Sequence, residues 1–121
     1  VFDKINENFI RCSFFELCSR YLSSYYTFAI EQNNSAGRSD FEMTGIPGTD
    51  YYKDDRLAEF KYFKAKEAER MLALSDPRPE DVAQVLAYAK DTKEKFPHYH
   101  VRSYIVYICA NKGWKCWEVT P

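Results

Sequence analysis

Residues 59 to 64, EFKYFK, set an acid and a base two positions apart in a run that otherwise reads as an apolar strand. Side chains two apart in a strand share a face, so Glu59 and Lys61 project together while Ala58, Phe60 and Tyr62 face the other way. That face is either wet or carries chemistry.

The flanking sequence supplies a partner strand. RSDFEM (38–43) reads as a strand, TGIPGTDYYKDD (44–55) as a loop rich in Gly, Pro and Asp, and RLAEFKYF (56–63) as the next strand, a long-looped antiparallel hairpin. A register sum close to 99 or 100 then brings Asp40 opposite residue 59 or 60. Two carboxylates and a lysine would occupy one small region. Neighbouring carboxylates repel, which raises at least one pKa and costs stability; a divalent cation removes that cost.

The rest of the chain frames this hairpin. From Phe2 to about Ser23, Ile10, Phe14, Leu17 and Tyr21 recur at i, i+4, i+7 and i+11, while Phe2, Ile5 and Phe9 form a second stripe. The spacing predicts a first helix buried on more than one side. YYTFAIE (25–31) alternates as a strand before the turn residues NNSAG. After Lys64 the helix formers AKEAERMLAL begin, and a helix restarts near Pro79, where proline suits the first turn and Glu80 and Asp81 suit the dipole. HVRSYIVYICA and WKCWEV close the chain as two strands around the Asn-Lys-Gly turn at 111–113. The expected order is α, β, β, β, α, β and β in one domain spanning 1–121.

Composition limits the functions this domain can have. With 121 residues, 45% of them hydrophobic, the chain sustains one core and is not disordered. No apolar run approaches the ~18 residues of a membrane helix, and no basic-then-apolar signal segment opens it, so a cytoplasmic protein is expected. The first residue is Val1, which leaves open that the chain is part of a longer polypeptide. Cys12, Cys18, Cys109 and Cys116 lack zinc-ligand spacing and read as small buried hydrophobes. A net charge of -1 argues against a strong sequence-independent grip on nucleic acid, although residues 90 to 121 carry six Lys or Arg against three acids. His98 and His100 are expected at the surface, and Trp114 and Trp117 in the core.

Asp40 followed by Glu59-Phe60-Lys61, in this element order, resembles the D...E-x-K signature of the PD-(D/E)XK nuclease superfamily. GRSDF (37–41) with AEFKYF (58–63) is similar to the nuclease-like domains found C-terminal to AAA-ATPase-like domains in bacterial proteins. Gln84 and Tyr88, spaced i, i+4 on one helix face, match the Gln-x-x-x-Tyr element of RecB-like members. The residue before Asp40 is Ser39 where the family pattern has proline.

The resemblance implies an α/β restriction-endonuclease-like core, a central mixed sheet flanked by helices, and metal-dependent hydrolysis of nucleic acid, with DNA favoured over RNA. It implies Mg or Mn held by Asp40 and Glu59, helped by Glu7 and the carbonyl of Phe60, with Glu16 the alternative first-helix acid. Lys61 would position the attacking water, Gln84 and Tyr88 would hold the lysine and substrate, and Arg38, Lys64 and Tyr88 would contact nucleic acid. Two other functions remain open: a catalytically weak nuclease-fold module that binds nucleic acid or protein beside an ATPase domain, and an interaction domain whose Glu59 and Lys61 are only an ion pair.

Overall fold

A computed structural model describes residues 7–34 and 37–121, with the backbone alone for residues 7–11, 31–34 and 37–40. The elements run α1 (Glu7–Leu22), β1 (Tyr26–Asn34), β2 (Gly37–Gly45), β3 (Asp54–Phe63), α2 (Ala65–Leu72), α3 (Pro79–Lys95), β4 (His100–Cys109) and β5 (Gly113–Val119). The five strands form one sheet in chain order. β1–β2, β2–β3 and β4–β5 pair antiparallel, while β3 and β4 pair parallel. A parallel step needs a long crossover, and α2 and α3 provide it. The result is the expected mixed sheet, flanked by helices.

Because β3 is central, both of its faces are covered, and its sequence reads accordingly. Leu57 and Phe60 are both buried although they face opposite ways. On one face Cys18 of α1 packs with Phe41 and Phe60, with Phe15, Leu22, Phe28 and Met43 around them. On the other, Met71 of α2 and Val85 of α3 meet Phe63, Ile105, Tyr107 and Cys109, while Tyr88 and Ala89 of α3 meet Leu57. Burying an aliphatic or aromatic side chain of this size stabilises by about 1.5–3 kcal/mol, so the two layers hold the sheet from both sides.

The expected burial of α1 needs correction. Leu17 and Tyr21 are 52% and 70% exposed, Phe14 stays largely open although its ring meets Phe41 and Phe60, and the most covered line is half-buried Phe15, buried Cys18 and half-buried Leu22. A helix with aromatics on all sides offers several stripes, and the flat sheet covers only one. Ile10 and the second stripe lie outside the described side chains. The cysteines also divide: Cys18 and Cys109 are buried, Cys12 and Cys116 are exposed, and none of the four is in a disulfide. Trp114, expected in the core, is 68% exposed, whereas the indole N–H of Trp117 donates to the carbonyl of Ser75. His98 and His100 are exposed, as expected. No described helix is long and apolar enough to cross a membrane.

Candidate active site

The β2–β3 hairpin pairs Phe41 with Ala58 and Glu42 with Leu57, a register sum of 99. Continued by one residue, that register places Asp40, inside β2, across from Glu59 inside β3. The pairing itself ends at Phe41 and Ala58, so Asp40 and Glu59 are the next residues along this register rather than a paired position. Asp40's own side chain lies outside the described residues, as do those of Glu7 and Arg38.

Alternation sorts the hairpin cleanly. Phe41, Ala58 and Phe60 belong to the face under α1, and Leu57 belongs to the face under α3. Glu59 and Lys61 follow Leu57 at intervals of two and so lie on the α3 face. Glu59 is only 2% exposed, and its Oε1 lies 3.4 Å from Lys61 Nζ. Lys61 keeps 27% of its side chain in contact with solvent. The face is neither wet nor apolar: a nearly buried carboxylate is held by an ammonium that reaches the surface.

Magnitudes show what this pair does for stability. At an effective dielectric of ~20 the attraction across this separation is roughly 5 kcal/mol. Withdrawing a carboxylate from water costs several kcal/mol even after relaxation. The two effects nearly cancel, so the pair's contribution to stability does not account for its place in the sheet interior.

α3 brings its polar stripe over the same strand. Gln84 Nε2 donates to the Tyr88 hydroxyl at 2.7 Å, and Tyr88, 2% exposed, packs on Leu57. At its other end the helix meets β4, where the Tyr107 hydroxyl donates to Asp81. Tyr107 is the register neighbour of Lys61, and Leu57 is two residues before Glu59. The helix thus runs from the level of Lys61 back to that of Leu57, with Gln84, exposed on the helix surface, between Asp81 and Tyr88.

Two acids on this face were not singled out in the sequence. Asp55 is 1% exposed, and its carboxyl pKa is pushed up to about 9, first by burial, then by its hydrogen bond to Glu42 and the nearby charges of Glu42 and Asp54. Burial and the neighbouring Glu42 therefore favour the protonated form of Asp55. The alternation 55, 57, 59, 61 was the available signal, because it puts Asp55 on the same face as Glu59. At the start of β3, on the opposite face, Asp54 behaves oppositely. Burial works against its charge, yet the Tyr26 hydroxyl at 2.6 Å and Arg56 at 3.0 Å hold its carboxyl below the usual carboxylate range.

Glu16 does not join the site. It is exposed, pairs with Arg20 at 2.6 Å, and rides on α1, whose packed side meets the Phe41–Phe60 face. Lys64 is exposed at the start of α2. Among the described residues no group of three or more His, Cys, Asp or Glu side chains converges in a metal-binding arrangement.

Comparison with known families matches residues 5–118 to the model of the PD-(D/E)XK nuclease superfamily. Comparisons with curated proteins and with solved structures give no match.

Proposed function

Because the chain belongs to the PD-(D/E)XK nuclease superfamily, we propose that it hydrolyses nucleic acid phosphodiester bonds with Asp40, Glu59 and Lys61 at the reacting centre. The observation that carries this reading is the nearly buried Glu59, across the hairpin register from Asp40 and 3.4 Å from Lys61. A carboxylate from each of these neighbouring strands would form an all-oxygen donor set, which suits a hard divalent cation such as Mg or Mn. Asp40 and Glu59 would hold it, with Glu7 and the Phe60 carbonyl as further oxygen donors. A cation there supplies Lewis acidity to the scissile phosphate.

The chain's own residues do the rest. Lys61, anchored at one end by Glu59 and open to solvent at the other, orients the attacking water and offsets charge that builds on the phosphate oxygens. Gln84 and Tyr88 hold the lysine and the substrate from α3, and Arg38 and Lys64 flank the hairpin as phosphate contacts. The Gln84–Tyr88 pair supports a RecB-like subtype. The reading also carries a cytoplasmic location and an ATPase domain in the same full-length polypeptide, with DNA as the favoured substrate.

The net charge of -1 favours a second reading, a catalytically weak module that binds nucleic acid or protein, since it provides little field to attract a polyanion. Cleavage of labelled single- and double-stranded DNA and RNA by wild type and Lys61→Ala, with Mg²⁺, Mn²⁺ or EDTA, separates the two. Metal-dependent cutting lost in the variant supports the nuclease. Binding without cutting, unchanged by the variant, supports the module.

A further inference from the structure

α3 begins in an unusual way. Its first residues, Arg78 at the N-cap, Pro79, Glu80 and Asp81, include no side chain that caps the helix from the N-cap position. In a capping box, the acid at the third helical position accepts the N-cap backbone N–H directly. Here a tyrosine hydroxyl from the sheet stands between them. The Arg78 backbone N–H donates to the Tyr107 hydroxyl at 3.0 Å, and that hydroxyl donates to Asp81 Oδ2. The same carboxylate oxygen receives Arg78 Nε at 2.9 Å, and the Arg78 guanidinium lies 5.0 Å over the Phe63 ring.

The β4–β5 hairpin makes further contacts just upstream. Lys115 Nζ donates to the carbonyl of Leu74, and the Trp117 indole to that of Ser75. The connection into α3 is thus tied at three successive places to one hairpin. Asp81 is 3% exposed, so its bonds are shielded from competing water.

The consequence follows from register. Tyr107 is the β4 neighbour of Lys61. Gln84 follows Asp81 by three residues and Tyr88 by seven, one and two turns along the same helix face. We propose that Tyr107, acting through Asp81, is a positioning residue: its hydroxyl completes the start of α3 and so fixes the Gln84–Tyr88 pair on the face of the sheet that carries Glu59 and Lys61. This rests on the nuclease reading only where it concerns rate. The claim about placement stands apart from it.

The test is Tyr107→Phe, which keeps the ring contacts to Phe63 and Trp117 and removes only the hydroxyl. Tyr104→Phe is the control, since its hydroxyl meets Arg56 on the opposite face. In the first variant the side-chain amide resonance of Gln84 is expected to move, and in the control to stay. Single-turnover cleavage is expected to fall about tenfold or more, with substrate affinity held within about twofold. Tyr107→Phe placed in a Tyr88→Phe background is expected to add little further loss. An unmoved Gln84 resonance, or an unchanged rate in a wild type that cuts, overturns the proposal. If the wild type does not cut, the nuclease reading fails, and the Gln84 resonance alone decides the placement. Should Tyr107→Phe fail to fold, Asp81→Ala, which removes the acceptor of the hydroxyl, carries the same comparison.

Discussion

Lys61 Nζ lies 3.4 Å from Glu59 Oε1, and of the two side chains only the lysine reaches solvent. A structural ion pair and a catalytic one predict different double-mutant behaviour. Lys61→Met leaves a buried carboxylate without this ammonium and is expected to cost about 1–3 kcal/mol, part of which Glu59→Gln in the same chain restores. Activity behaves otherwise. Lys61→Met is expected to lower the cleavage rate at least about a hundredfold, and the double variant is expected to recover stability but no activity. Urea unfolding and single-turnover cleavage of the three variants check both halves. Recovery of cleavage in the double variant would reduce the pair to a structural role.

The β2–β3 register, continued one residue beyond Phe41 and Ala58 to Asp40 and Glu59, makes a claim about metal. Mn²⁺ at about a hundred times its dissociation constant is expected to stabilise the wild type by roughly 2.7 kcal/mol, visible as a rise in Tm that EDTA reverses. Asp40→Asn and Glu59→Gln should each weaken Mn²⁺ binding by at least about tenfold, measured calorimetrically. Equal binding by wild type and both variants would place any cation elsewhere.

How much of this was legible depended on the range of the signal. The period of two along β3, and the loop length between β2 and β3, carried Glu59, Lys61 and the register of 99, because strand alternation and hairpin pairing are local. The burial of α1 was not legible. Its aromatics supply apolar stripes in several directions, and only the position of the sheet picks out Phe15, Cys18 and Leu22. Nor could sequence show that Asp81, which looks like a dipole-compensating acid in a first turn, is bound by a tyrosine 26 residues away. Trp114 was misplaced for a related reason: β5 alternates between covered and open positions, and nothing local says which parity is inside.

Gly45 closes β2, and the loop after it folds back closely. A Cβ at this position would lie 1.6 Å from the Tyr51 carbonyl oxygen and 2.4 Å from its carbon, both backbone atoms that no rotamer change relieves. The Tyr51 ring packs against Tyr25 and Tyr26 with centroids 5.4 and 5.3 Å away, so moving the loop also disturbs these contacts. Gly45→Ala is therefore expected to destabilise by about 3 kcal/mol or more, beyond the usual cost of one added methyl group. A urea midpoint within about 0.5 kcal/mol of wild type would show that the loop yields freely.

Asp55 gives the protein a pH dependence whose sign is fixed by the direction of its shift. In the folded chain its carboxyl holds a proton up to about pH 9, because burial and Glu42 disfavour the charge. Unfolded, it releases that proton near pH 4. Between these values the folded state binds more protons than the unfolded state, so this group makes stability fall as pH rises, by at most about 1.4 kcal/mol per pH unit, and the fall stops above pH 9. Asp54 does not mask this effect. Its folded pKa is lowered, so its contribution is complete above its unfolded value and is lost only as pH falls further. Asp55→Asn keeps a donor toward Glu42 and removes the titration. Urea unfolding from pH 5 to 9 is expected to show a variant more stable than wild type at pH 8, with the advantage shrinking toward pH 5. A constant difference across that range would mean that the Asp55 carboxyl is not held protonated in the folded protein.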